Sequence, residues 1–432
     1  MNTQIMSPKP QPSPKRAGPT ATQMMICLAV CMALQMTSFV IILPLFARRF
    51  TELGAGADAM AASSMAYALA ATLFAPLMGA LADRMGRRPI LLGSLAVYAL
   101  AFTGYLLATS ATTIVVLRGL AGALTAGMMP AATGMVADLA PENRRARWIG
   151  FLSGGAAFGW IAGPVLGGLL YDRWGFGPAV LVSIGMAVAT LLTSLIAIRE
   201  TRPPQRLAAA PSGAFRLPSV RGSLRGAVTS LPRSMGAVIV VLLTYFVVMF
   251  AWAFIEPRFM FYAYDDLHWS SSMLGLAMSV YGIALMLGEF GLSRLSDDLG
   301  RKPVIILGLL LFSAQFLGLA LSRDYTVIAL SFVIAGLGNA LYDPALSAAV
   351  LDVTPSTHQA RMLGVKSTFG SIGSILGPAL IVFSTSLLQA RLVFMISAGV
   401  VLVMMLIALL DLSGLKQARE ARRAHAAGAQ AD

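Results

Sequence analysis

The chain has 432 residues, of which 12% are charged and 57% hydrophobic. Soluble domains carry about 25% charged residues, and long uninterrupted apolar runs need lipid to solvate their outer faces, so a large soluble domain has no room here. The net charge of +13 does not point to nucleic acid, because the basic residues sit between the apolar runs and mostly on alternate sides, as in cytoplasmic loops.

Residues 1–22 are rich in Pro, carry Lys9, Lys15 and Arg16, and read as a disordered cytoplasmic tail. The first apolar run, 24–46, is too long for a signal core and long enough to span, so a retained first helix is expected. It holds Cys27 and Cys31 one helical turn apart, two thiols that cannot build a disulfide framework or a zinc site. With the histidines scattered, no metal site is expected. Eleven more runs of spanning length follow, at 60–82, 90–109, 112–138, 148–170, 178–198, 236–257, 272–294, 304–321, 326–351, 362–385 and 392–412. The organisation is therefore a six-helix bundle over 23–199, a linker over 200–235, a second six-helix bundle over 236–412 and a tail over 413–432. The linker is marked by Pro203, Pro204, Pro211, Pro218 and Pro232 among interspersed arginines.

Twelve spans put both termini on one side. The intervals on that side carry Arg84, Arg87 and Arg88, then Arg144, Arg145 and Arg147, the linker arginines, and Arg301, Lys302, Arg361 and Lys366. The opposite intervals carry only Arg48, Arg49, Arg173, Arg258, Arg323 and Arg391. A multi-pass protein of the cell membrane with both termini cytoplasmic is expected.

The two halves align without a gap at an offset of 214 residues. Tyr67 then matches Tyr281; Asp83, Gly86, Arg87 and Pro89 match Asp297, Gly300, Arg301 and Pro303. Gly122, Pro130, Asp138 and Arg147 match Gly336, Pro344, Asp352 and Arg361; Gly150, Gly159, Gly163 and Pro164 match Gly364, Gly373, Gly377 and Pro378. Matched Gly, Pro and charge in order mark helices 2 to 5 of each half as corresponding. Parallel repeats of this kind place a substrate between them near mid-membrane.

Three motifs stand out. The loop after helix 2 reads Gly79, Asp83, Gly86, Arg87, Arg88. Helix 5 reads Gly150, Gly159, Gly163, Pro164, Gly167, Gly168, in which Gly159 and Gly163 admit a close neighbour and Pro164 permits a bend. Helix 4 carries Arg118 about two turns inside its outer end; an intramembrane charge faces a cavity or partner or snorkels to the surface.

The loop, the two-by-six layout and the helix 5 glycines resemble the major facilitator superfamily, and its proton-coupled drug-exporter branch in particular. That resemblance implies an all-α fold of 12 transmembrane helices in two bundles around a central cavity, and no enzyme activity. It implies a proton-coupled exporter of lipophilic small molecules, drugs among them, that confers antibiotic resistance; uptake of a small metabolite by symport or facilitation is the alternative. The implied partners are the substrate, protons and the bilayer, with no nucleic acid, no cofactor beyond the proton gradient, and a monomeric state. Family resemblance implies that Asp83 meets the start of helix 11 and Arg87 pairs with Asp138, latching the cytoplasmic side; Asp297, Gly300, Arg301 and Asp352 form the second copy. It also implies that Arg118 acts in proton transfer or substrate contact, and that helices 1, 4, 7 and 10 line the cavity.

Helix 1 lacks the acid found in many relatives: Gln35, Met36 and Thr37 stand there. The candidates for proton coupling are then Glu256, near the outer end of helix 7, and Asp343 and Glu289, toward the cytoplasmic ends of helices 10 and 8. Helical spacing groups Tyr245, Met249 and Trp252 with Glu256 on one face of helix 7, Asn339 and Tyr342 with Asp343 on helix 10, and Gln35 with Phe39 on helix 1. These are the expected cavity residues.

Overall fold

The computed structural model describes residues 20–202, 235–292, 295–354, 358–384 and 388–411. The expected tails and most of the linker lie outside the described residues. The described chain is helical, without strands, as it must be where lipid leaves every backbone group to be satisfied within its own segment.

Twelve helical spans follow in order: α1 (Ala21–Glu52), α2 (Ala57–Met85), α3 (Arg87–Leu107), α4 (Ala111–Leu139), α5 (Glu142–Trp174), α6 (Phe176–Ala197), α7 (Gly236–Asp266), α8 (Ser271–Leu292), α9 (Arg301–Leu321), α10 (Tyr325–Asp352), α11 (Arg361–Ser384) and α12 (Ala390–Leu410). Side-chain caps fix several starts. Thr20 and Gln23 form a capping box at α1, Ser110 accepts from the Thr113 amide at α4, and Asp324 from the Val327 amide at α10, each satisfying an otherwise orphan N–H. Between α2 and α3, and where α9 begins, a single glycine makes the turn: Gly86 has φ 100° and Gly300 φ 94°, a region that side-chain-bearing residues avoid.

Three spans differ from the sequence expectation. α1 breaks at Leu43–Pro44 and resumes as Leu45–Glu52, because Pro44 has no N–H to continue the ladder. α4 breaks at Ala126–Gly127, between Ala111–Thr125 and Met128–Leu139. α7 does not stop near residue 257: it carries Pro257 inside the helix and runs on to a π-helical turn, Tyr262–Asp266.

The 214-residue repeat is built into the packing. A side chain at Gly122 of α4 would strike the Tyr67 carbonyl of α2, and one at Gly336 of α10 the Tyr281 carbonyl of α8. Gly159 of α5 abuts Met36 of α1, and Gly373 of α11 abuts Phe250 of α7; Gly163 abuts Val40, and Gly377 abuts Phe254. The first helices of the two halves therefore correspond as well, a relation their side chains conceal.

We call the side bearing the first and last described residues, Thr20 and Asp411, the terminal side and the other the far side. On the far side the bundles are locked. Gly168 of α5 lies on the Ser271 backbone of α8, and Gly275 of α8 on the Pro164 carbonyl. Both Asp172 carboxylate oxygens accept backbone amides at the start of α8, from Ser271 at 3.0 Å and Ser272 at 2.8 Å, where a negative charge meets the positive end of the helix dipole. Arg48 lies 4.1 Å above the Tyr264 ring and donates to the Trp269 carbonyl, and the Tyr264 hydroxyl donates to the Pro44 carbonyl. Toward the terminal side a Cβ at Gly79, Gly150, Gly154, Gly291 or Gly364 would meet nothing within 4 Å. The tightest described contacts between the bundles are therefore those of the far side.

Candidate functional site

The α5 glycines divide by partner. Gly155, Gly159, Gly163 and Gly167 press on the backbone of α1, within their own bundle; a Cβ on Gly159 would lie 2.5 Å from the Met36 Cβ and 2.6 Å from the Thr37 nitrogen. Gly168 alone of the expected motif glycines meets the other bundle. The close neighbour that the sequence led one to expect at Gly159 and Gly163 is thus α1, while a Cβ at Gly150 would meet nothing within 4 Å. Pro164 stands inside α5, opposite Gly275.

The expected latch is half engaged. Arg87 pairs with Asp138 and donates to the Gly134 carbonyl; Arg301 Nε pairs with Asp352 at 3.1 Å and its Nη1 reaches Ser296 at 2.9 Å. The Asp297 side chain lies outside the described residues. Asp83 does not reach α11 in this conformation: Arg202, at the start of the linker, holds it at 2.7 Å. Sequence reasoning missed the linker's part in this loop. Glu200 accepts the amides of Arg87 at 3.1 Å and Arg88 at 3.0 Å, capping α3, while Thr201 donates to Asp138 and Arg88 to the Leu195 carbonyl. The only sequence signal was an acid, Glu200, standing among arginines.

A cavity of about 260 Å³ is lined by α7 to α10 of the second bundle, through Met249, Trp252, Tyr281, Phe332, Asn339 and Tyr342 among others, with Trp160 of α5 facing it from the first bundle. Met249, Trp252, Asn339 and Tyr342 were expected there. Trp252 and Tyr281 stack with centroids 6.3 Å apart, and Asn339 donates to the Tyr281 hydroxyl at 2.7 Å. Three expected residues stand elsewhere. Gln35 is wholly buried, with neither amide atom partnered; Phe39 stacks on Tyr67 and meets Tyr98 edge-on; Tyr245 lies one turn toward the terminal side. Gln35 and Phe39 share a face of α1, but Phe39 is taken up by Tyr67 of α2 and Tyr98 of α3 within its own bundle.

Arg118 is 4% exposed, so it does not snorkel to the surface. Its guanidinium lies 4.9 Å from the Phe46 ring centre and 5.2 Å from that of Tyr67, and its Nε and Nη1 have no hydrogen-bond partner. Phe332 takes the matching place in the second half, edge-on to Tyr281, the counterpart of Tyr67. Glu256 makes no ion pair among the described contacts. Since α7 continues to Asp266, Glu256 lies roughly 15 Å from that end at ~1.5 Å per residue, well inside the span and not near its end as the sequence suggested.

The other two acids also differ from expectation. Asp343 is paired: Lys366 donates to its Oδ1 at 2.6 Å and to Ser347 Oγ at 2.6 Å. Sequence reading placed Lys366 among the loop charges and made Arg118 the one basic group well inside a span; Lys366 is 6% exposed, within α11. Glu289 is exposed rather than buried.

The sequence matches the Major Facilitator Superfamily over residues 25–261 and again over 237–430. It is similar to tetracycline resistance protein, class C, of Escherichia coli, with 29% identity over 325 residues, 73% of this chain and 77% of that protein. It is also similar to multidrug resistance protein MdtG of Salmonella arizonae, with 27% identity over 339 residues, 77% and 80% of the two chains. The fold resembles a peptide transporter POT (TM-score 0.74, 15% identity, 93% of this chain and 100% of that one). It also resembles the human organic anion transporter MFSD10 (TM-score 0.67, 20% identity, 90% and 100%). With two repeated six-helix bundles, twelve spans and a family match along both halves, the chain belongs to the Major Facilitator Superfamily and is a multi-pass membrane transporter, not an enzyme.

Proposed function

We propose that this protein is a proton-coupled exporter of lipophilic small molecules, drugs among them, and that it works by alternating access. The observation that carries the reading is an aromatic, methionine-bearing cavity of the second bundle, closed by Trp160 of the first, with a buried guanidinium, Arg118, and a carboxylate, Glu256, each well inside its span. Aromatic faces and thioether side chains adapt to varied lipophilic molecules. Among the described residues no ion pair ties up Glu256, which leaves this intramembrane carboxylate able to take and release a proton as the cavity changes sides. The similarity to tetracycline and multidrug resistance proteins supports the same substrate class.

The charge distribution supports a cytoplasmic terminal side, so the conformation described faces inward. The far-side lock of α5 on α8 opens in the opposite state, and Asp83 then leaves Arg202 for α11. Coupling uses the proton gradient with no cofactor, and one chain carries the complete cavity, so a monomer suffices.

Everted membrane vesicles carrying the protein, energised to an acidic lumen, test the reading. Adding tetracycline or another lipophilic drug from a broad panel is expected to dissipate the gradient. A gradient indifferent to every compound, in vesicles shown to contain the folded protein, removes the antiport. Accumulation of a single nutrient in intact cells supports the uptake alternative instead.

A further inference from the structure

Beside the aromatic cavity, one turn toward the terminal side, lies a charged cluster that sequence reading did not assemble. Asp343 follows Asn339 by four residues on α10, and Tyr245 precedes Met249 by four on α7, so both extend the cavity-lining faces. Lys366 of α11 is held in three directions: by Asp343, by Ser347, and by the Tyr245 ring, whose centre lies 4.1 Å from Nζ. Carboxylate, hydroxyl and aromatic face together make a seat for an ammonium group, and here the chain fills it with its own lysine.

A second carboxylate stands by without such a partner. On α8, Tyr281, Gly282 and Leu285 line the cavity, and Glu289 continues that face at helical spacing. Leu287 and Phe290, both exposed, point away from it. Gly288 packs on Ala340 of α10, which brings Glu289 to the level of Asp343, and the two carboxylates feel one another. The remaining titratable groups around Asp343 are Tyr245 from α7, Tyr281 from α8 and Tyr342 beside it on α10. Tyr342 is wholly buried in the cavity wall, and its hydroxyl has no partner among the described residues, leaving a polar atom for a ligand to satisfy.

We propose that Lys366 sets the charge class this transporter accepts. By neutralising Asp343 it leaves Glu289 as the one uncompensated carboxylate of the cluster, so the cavity favours a single monovalent lipophilic cation. The inference rests on the transporter reading above, in which this cavity is the substrate's path. Counting charges gives an order. Lys366→Met leaves two free carboxylates, Glu289→Gln leaves none, and Lys366→Met with Asp343→Asn restores one.

The test is binding of tetraphenylphosphonium, a permanent lipophilic monocation, to the purified full-length protein in detergent at pH 8, with neutral Nile red as the companion probe. Lys366→Met is expected to bind the cation about tenfold more tightly, as one half-buried charge does at an effective dielectric near 20. Glu289→Gln should bind it roughly threefold more weakly, since its exposed charge is screened. The double variant and Lys366→Arg should match the wild type within about threefold, and Nile red should stay within about twofold throughout. Lys366→Met binding the cation no better than the wild type, or Nile red changing in parallel, overturns the proposal. If Lys366→Met does not yield monodisperse protein, the double variant decides: binding as weak as that of Glu289→Gln overturns it. A flat order of cation affinities alongside proton movement driven by a neutral drug in vesicles would leave the exporter reading standing and remove this inference alone.

Discussion

Gly168→Ala perturbs the far-side lock at its narrowest point. The new methyl group would run into the Ser271 carbonyl and lie 2.6 Å from its carbon and 2.7 Å from the Ser272 Cα. Carbon atoms sit comfortably at about 3.5–4.0 Å, so α5 and α8 must part by roughly 1 Å. Overpacking of this order costs about 1–3 kcal/mol, and it falls only on the far-side-closed state, where the two helices touch. The gain in helix propensity, about 1 kcal/mol for Gly to Ala, is common to both states and cancels. A differential of ~2 kcal/mol moves the ratio of closed to open about thirtyfold. Spin labels at Trp174→Cys on α5 and Val327→Cys on α10, both exposed on the far side, with Cys27 and Cys31 replaced by Ser, read that ratio as a distance distribution. The distribution should lengthen in Gly168→Ala and stay unchanged in Gly364→Ala, whose Cβ meets nothing within 4 Å. A wild-type distribution and wild-type drug efflux in Gly168→Ala would refute the assignment of this contact as the far-side gate.

Gly159→Leu should lower thermal stability and yield as well as transport, because its clash is with α1 inside one bundle and is present in every state; full stability in a thermal melt would contradict that. Asp172→Asn should act like Gly168→Ala but more weakly, by about 0.5–1 kcal/mol, since it weakens one charged cap at the start of α8; the same spin-label pair reads it. Arg118→Ala should abolish drug-driven proton movement while leaving the melt near wild type, because the guanidinium makes no hydrogen bond in the described structure through Nε or Nη1. A melt that collapses with activity would assign Arg118 to packing. Glu200→Ala should cost roughly 1 kcal/mol of stability through the lost cap on α3, and restoring it with Asp or Gln should recover part of the loss.

The sequence by itself determined the membrane, the twelve spans, the doubling of the chain and the family. Each is written in residues whose effect is local: apolar length against bilayer thickness, and Gly, Pro and charge at fixed spacings. Met249 and Trp252, and Asn339 and Tyr342, reach one cavity because helical period fixes which residues share a face. Only the tertiary structure decided what those faces meet. Gln35 and Phe39 share a face of α1 as expected, yet Phe39 packs on Tyr67 of α2 and Tyr98 of α3 and Gln35 is wholly buried, so neither lines the cavity. Lys366 read as a loop charge because its partners Asp343, Ser347 and Tyr245 come from two other helices, and no spacing along one helix reveals a contact between three. The division of the α5 glycines between α1 and α8, and the hold of Arg202 on Asp83, depend on which side of the molecule is open. That is a property of how two bundles lean on each other, and a pattern read along one chain carries no coordinate for it.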